Sequence, residues 1–174
     1  MKNCLTVVAI ATLLGSPWAV RPVQAQPAET VPAVETSHYV SEQFGIEFDY
    51  PKDYVVTVDA ANSAIALFHG EDVGMPEIPY VYIGFFENSE QLSLQTFRDD
   101  TLGMGVIREY DDTTVAGQPA LDFDATGYYE SRNQIFDSPD GRYIVYFSSS
   151  YVGDSASEPF LEVANVIQDS WTWR

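Results

Sequence analysis

Residues 80–86 read YVYIGFF. A strand that is apolar on both alternating faces is covered on both sides, so this one belongs inside a sheet with a layer on each face. The neighbouring segments fit that frame. Residues 45–51 (GIEFDYP) alternate, with Ile46, Phe48 and Tyr50 on one side and Glu47 and Asp49 on the other. Residues 54–59 (YVVTVD) and 64–69 (AIALFH) read as the next two strands, and residues 70–79 as a loop with two Gly and two Pro. Downstream, Ser93 suits the cap of a helix over residues 94–102, with Gly103 after its end and Leu94, Phe97, Thr101 and Leu102 turned inward. Strands follow over residues 107–115 and 120–128, joined through Ala116, Gly117, Gln118 and Pro119. In the second of these Leu121, Phe123 and Ala125 are expected inside, and Asp122, Asp124 and Thr126 outside. A hairpin lies within residues 135–150, turning at residues 138–141 (SPDG), and residues 142–152 form a long strand. A last helix begins near Ser155, with Phe160, Val163, Ala164, Ile167 and Trp171 at helical spacing. Strands, helix, strands, helix is the order of an α+β domain whose antiparallel sheet is flanked by helices.

The first 25 residues read separately. Lys2, the apolar run over residues 4–15 and the small-residue pattern Val23-Gln24-Ala25 are laid out as a secretory signal peptide cleaved after Ala25. The run is shorter than the roughly 20 residues that span a bilayer. Residues 26–37 (QPAETVPAVETS) read as a flexible linker and residues 38–174 as the folded domain. The location expected is extracytoplasmic: periplasm, thylakoid lumen or secreted. Cleavage removes two cations and the single Cys, leaving six basic against 26 acidic residues and a formal charge of −20. A thiol nucleophile, a disulfide and a thiolate metal site are thereby excluded from the mature chain. So are nucleic acid and anionic membrane surfaces, which need clustered Lys and Arg.

Several motifs resemble one family. The stretch Phe44-Gly45-Ile46-Glu47-Phe48-Asp49-Tyr50-Pro51-Lys52-Asp53-Tyr54 is similar to its opening strand, Leu92-Ser93-Leu94 to its first helix, Val115-Ala116-Gly117-Gln118-Pro119-Ala120 to its later turn, and residues 167–171 (IQDSW) to its closing helix. Over roughly residues 38–173 the whole resembles PsbP-like proteins, named for an extrinsic lumenal subunit of photosystem II, and looks like a bacterial member of that family. The resemblance implies an α-β-α sandwich around a central antiparallel sheet. It also implies an exported, non-enzymatic accessory or binding domain that meets a membrane-associated protein partner as a monomer, with no cofactor required.

The residues themselves offer few chemical sites. His38 and His69 are the only imidazoles, and no Gly-x-Ser-x-Gly elbow is present, so nucleophilic hydrolysis has no frame. The alternative to a binding domain is a small hydrolase working with paired carboxylates, with Tyr80, Tyr82, Tyr128 and Tyr129 as a groove. Metal binding is better motivated. Asp111 and Asp112 precede the turn at Gly117, and Asp122 and Asp124 follow it. Pairing across that turn gathers four carboxylates, which suits a hard cation such as Ca2+. The same acids also serve as a solvated strand edge that resists aggregation. His69, Glu71 and Asp72 form a second candidate set of mixed ligands.

Overall fold

The computed structural model describes residues 34–70, 81–111, 113–127, 130–151 and 158–174, with backbone alone at 151 and 158–161. The chain runs β1 (Thr36–Ser41), β2 (Ile46–Pro51), β3 (Tyr54–Asp59), β4 (Ala64–His69), β5 (Val81–Glu87), α1 (Leu94–Thr96), a π-helical turn (Phe97–Leu102), β6 (Gly105–Glu109), β7 (Thr113–Val115), β8 (Gln118–Thr126), β9 (Glu130–Asp137), β10 (Tyr143–Tyr151), α2 (Glu158–Ser170) and β11 (Thr172–Trp173). The main sheet has eight strands in the order β3-β4-β5-β10-β9-β8-β6, with β7 also paired to β8. A second sheet of three strands has the order β1-β2-β11. The β2, β3 and β4 segments stand where the alternation put them, and β5 is interior as its two-faced apolarity demands.

Two cores form, one on each face of the main sheet. On one face Phe48, Leu67, Ile83, Phe136 and Phe147 meet Ile167 of α2 and Trp171 just beyond its end. On the other, Phe123, Ile135 and Ile144 meet Phe97, with Leu94 and Leu102 at its margin. Helices therefore do lie on both sides, but the expected α-β-α sandwich overstates them: the structure is mostly antiparallel sheet with two short helices. The three-stranded sheet shares the layer of α2, and the helix expected over residues 94–102 is one α turn followed by one π turn.

Local chemistry explains those boundaries. Ser93 caps α1, its Oγ accepting from the Thr96 N–H at 3.1 Å, and Gly103 ends the turn at φ +58°. In a π turn the ladder reaches one residue further than in an α turn, so inward positions shift. Arg98 is buried there, and Thr101, expected inside, is exposed. The β7–β8 turn holds Ala116 and Gly117 at φ +51° and +77°, the left-handed pair that a two-residue hairpin loop requires. At Gly84 a side chain has no room: an added Cβ would sit 2.9 Å from the Phe86 ring and 3.1 Å from the Tyr82 ring.

Four boundaries differ from expectation. The strand expected over residues 107–115 is two, β6 and β7, with a register shift between Val106 and Arg108. β9 starts at Glu130, well before the hairpin strand read from Ile135, and β1 takes in Thr36 and Ser37 from the stretch read as linker. The last helix ends at Ser170, leaving Trp171 as a buried plug and Trp173 in β11, which pairs β2. No described helix is long and apolar enough to cross a membrane. The signal peptide and its cleavage position lie outside the described residues.

Candidate functional site

The antiparallel register of β8 and β9 sets Asp122 opposite Gln134 and Asp124 opposite Arg132. All four share the face of the main sheet that carries α2, because side chains directly across a pair point the same way. Asp122 was expected in solvent, and this is corrected: it is 8% exposed. Alternation predicted the side correctly, but both faces of β8 are covered, so the side opposite Phe123 is not solvent.

Arg132 closes the group. Its Nε and Nη2 donate to Oδ1 and Oδ2 of Asp122 at 2.5 and 2.8 Å, a bidentate pair, and its Nη1 stands 3.9 Å from Asp124. Its guanidinium lies 3.3 Å over the ring of Tyr110, whose hydroxyl donates to Asp124 at 2.5 Å. Gln134 donates to Asp122 at 3.2 Å, and Gln168 of α2 donates to Gln134. Burial pulls the guanidinium pKa down, but the hydrogen bonds and charge of Asp122 outweigh it, and the net shift is upward. Arg132 stays a cation. Beside the group lies a shallow cavity of about 220 Å³ lined by Arg132, Gln134, Ser149, Ala164, Asn165 and Gln168.

Two of the four expected cation ligands therefore come together, and both meet a cation supplied by the chain itself. Asp111 is exposed, and Asp112 lies outside the described residues. Among the described residues no three His, Cys, Asp or Glu side chains converge as a metal would need. Chemically, the carboxylates are tied by an arginine fork, a phenol and an amide, which fixes their geometry and engages both oxygens of Asp122. Sequence reasoning missed Arg132, Gln134 and Tyr110. The available signal was charge: two acids alternating on one strand need a counter-charge on the next.

The other candidates are simpler. His69 Nε2 stands 3.2 Å from Asp53 at the rim of an open cleft of about 440 Å³ that Glu162 also lines; Glu71 and Asp72 lie outside the described residues. His38 Nδ1 contacts Asp49 at 2.7 Å on the outer face of the small sheet. Tyr82 is half-buried with its ring 6.1 Å from that of Tyr146, and burial raises the pKa of both phenols. Tyr80, Tyr128 and Tyr129, the rest of the expected tyrosine groove, lie outside the described residues. On the far side of the sheet Arg98 is buried and spans Asp99 at 2.7 Å and Glu109 at 2.5 Å.

No protein-family model matches the chain, and no curated protein sequence matches it. The solution structure of cyanobacterial PsbP (CyanoP) from Synechocystis sp. PCC 6803 is similar over 88% of this chain and 99% of that one, at 14% identity and a TM-score of 0.51. A crystal structure from Bacteroides thetaiotaomicron VPI-5482 aligns over 79% of this chain and 48% of that one, at 10% identity and a TM-score of 0.48. The fold is PsbP-like.

Proposed function

We propose that this chain is an exported, non-enzymatic accessory domain that docks onto a protein of a membrane-associated complex. One observation carries the reading. The carboxylates that a hydrolase or a cation site would employ are already bonded to Arg132, Tyr110 and Gln134, so that constellation holds strands together. A carboxylate acid–base pair needs room for substrate and one group ready to give or take a proton, whereas Asp122 is buried beneath a fork that occupies both its oxygens. The likeness to CyanoP supports the same reading at the level of fold, as does the acidic exterior, which favours electrostatic association with a basic partner.

The test is to express the tagged chain in its host, solubilise the membranes mildly and separate complexes on a native gel. The chain is expected to migrate with a larger assembly at low salt and to leave it as ionic strength rises, because rim charges are screened. Migration alone at every salt concentration would contradict docking. A hydrolytic activity abolished by Asp122→Asn in folded protein would establish the enzyme instead.

A further inference from the structure

Among the described residues the main sheet ends in two edge strands, β3 and β6, and they are defended differently. At β6 the register shifts between Val106 and Arg108, Ile107 at the shift is 55% exposed, and Arg108 and Glu109 place charges on the strand. A bulge and charges are what keep an edge from recruiting another strand. At the opposite edge β3 reads Tyr-Val-Val-Thr-Val-Asp and pairs β4 in unbroken register from Tyr54↔His69 to Asp59↔Ala64. It has no bulge, Pro, Lys or Arg, and Val55 and Val58 are 38% and 51% exposed. The Gly70 N–H bond to the Asp53 carbonyl at 2.7 Å sets the phase of the ladder. The bonded positions toward β4 are then 55, 57 and 59, and Val56 and Val58 direct their backbone N–H and C=O groups to the open side. Among the described residues no strand pairs there.

The charges at its ends indicate what fits. Asp53 and Asp59 flank the strand, about 20 Å apart at the usual strand rise. An antiparallel second copy would bring Asp59 beside Asp53 twice, in a chain already at −18, and like charges across a pair oppose association. An apolar strand with Lys or Arg at both ends meets the same edge with matched charge. We propose that β3 is the docking edge of this domain, and that it takes an extended, β-branched segment of a partner protein flanked by basic residues as an added antiparallel strand. This rests on the accessory-domain reading above and names its contact. Main-chain bonds supply the affinity of strand addition, and alternate side chains and end charges supply the choice of partner.

The probe is a capped peptide of six alternating Val and Thr residues with Lys at each end; its control carries Glu at the ends. Backbone amide NMR of the exported chain should show the Lys peptide perturbing Val56 and Val58 above all, with the Glu peptide at least about tenfold weaker. Val58→Pro removes an outward N–H without touching the β4 ladder. It should weaken binding about tenfold or more, and Asp59→Asn, which keeps an oxygen to accept from the Ala61 and Asn62 backbone N–H groups but gives up the contact with the Asn62 side-chain amide, should weaken it a few-fold. The wild-type map serves even where a variant folds poorly. Perturbations centred on β6 or β1, equal affinity for both peptides, no binding of either, or dimers formed through β3 in sedimentation would each overturn the proposal. Co-migration with a membrane complex alongside any of these would leave the accessory reading standing and remove only β3 as its contact.

Discussion

Replacing Arg132 with Met tests the polar closure directly. The substitution keeps most of the aliphatic stem and deletes the fork. Two bonds of 2.5 and 2.8 Å to Asp122 disappear, with the stack on Tyr110 at 3.3 Å, and Asp122 is left buried with only Gln134. Removing one partner of a buried ion pair costs about 3–5 kcal/mol, because the other charge is stranded. Arg132 is 29% exposed at its side chain, so water screens part of this, and the lower end, about 3 kcal/mol, is expected here. For a domain of this size about 1 kcal/mol moves the melting midpoint by roughly 3–5 °C, which makes a drop on the order of 10 °C. Thermal unfolding followed by the fluorescence of Trp171 and Trp173, which pack on Phe136, reads it. The sign is the informative part. Four mutually repelling acids at a solvated edge would gain stability when Asp122 or Asp124 is neutralised, whereas the fork makes Asp122→Asn destabilising. A midpoint unchanged or raised by Arg132→Met, or raised by Asp122→Asn, would refute the closure.

Other outcomes follow from the same geometry. Trp171→Ala should cost about 3–5 kcal/mol, since the ring is buried against Phe48, Phe85 and Phe136; chemical denaturation gives the value, and an unchanged midpoint would place the ring at the surface. Gly84→Ala should cost about 1–3 kcal/mol through displacement of the Tyr82 and Phe86 rings, and a stabilised variant would show those rings free to move. In a carboxyl-detected NMR titration Asp140 should titrate below the ordinary carboxylate value of about 3.9, held down by the Ser138 hydroxyl and then by the Arg142 N–H. Its contribution to stability is present above that value and lost as pH falls through the lowered one. Asp137 should titrate above it, raised by burial and partly offset by Asn88, so its contribution is present at low pH and lost as pH rises. Calcium and sodium chloride at matched ionic strength should move the melting midpoint equally, as screening alone does; an excess with calcium would show a bound ion.

The legible parts of the fold were those where one period and one punctuation mark sufficed. β2 is plain in its alternating Ile46, Phe48 and Tyr50, and Ser93 and Gly103 bracket their helical segment as caps do. β9 was half hidden because its first residues, ESRNQ, carry no apolar period, yet Ser131 and Asn133 are buried. They are satisfied by one another and by the Tyr146 hydroxyl, which donates to Asn133 at 2.8 Å, so their burial depends on a residue 13 positions away. That gap concealed Arg132, and without Arg132 the acids of β8 read as an unneutralised cluster. β11 was hidden differently: the apolar spacing of α2 runs on through Trp171, although the helix stops at Ser170 so that Trp173 can pair with Ile46. The spacing marks Trp171 as buried; that Trp173 beyond it belongs to a strand depended on β2.

On the proposed reading Asp122 and Arg132 are structural and the domain works through its surface. Replacing both, as Asp122→Leu with Arg132→Met, removes the charges together, and substitution of a whole buried pair by apolar side chains is often neutral or better. Native-gel migration of this double variant, beside wild type at equal folded fraction by near-ultraviolet circular dichroism, is the most direct measurement. A folded protein that still enters the same assembly is expected. A folded double variant that no longer does so would make the pair itself the working site and overturn its structural role.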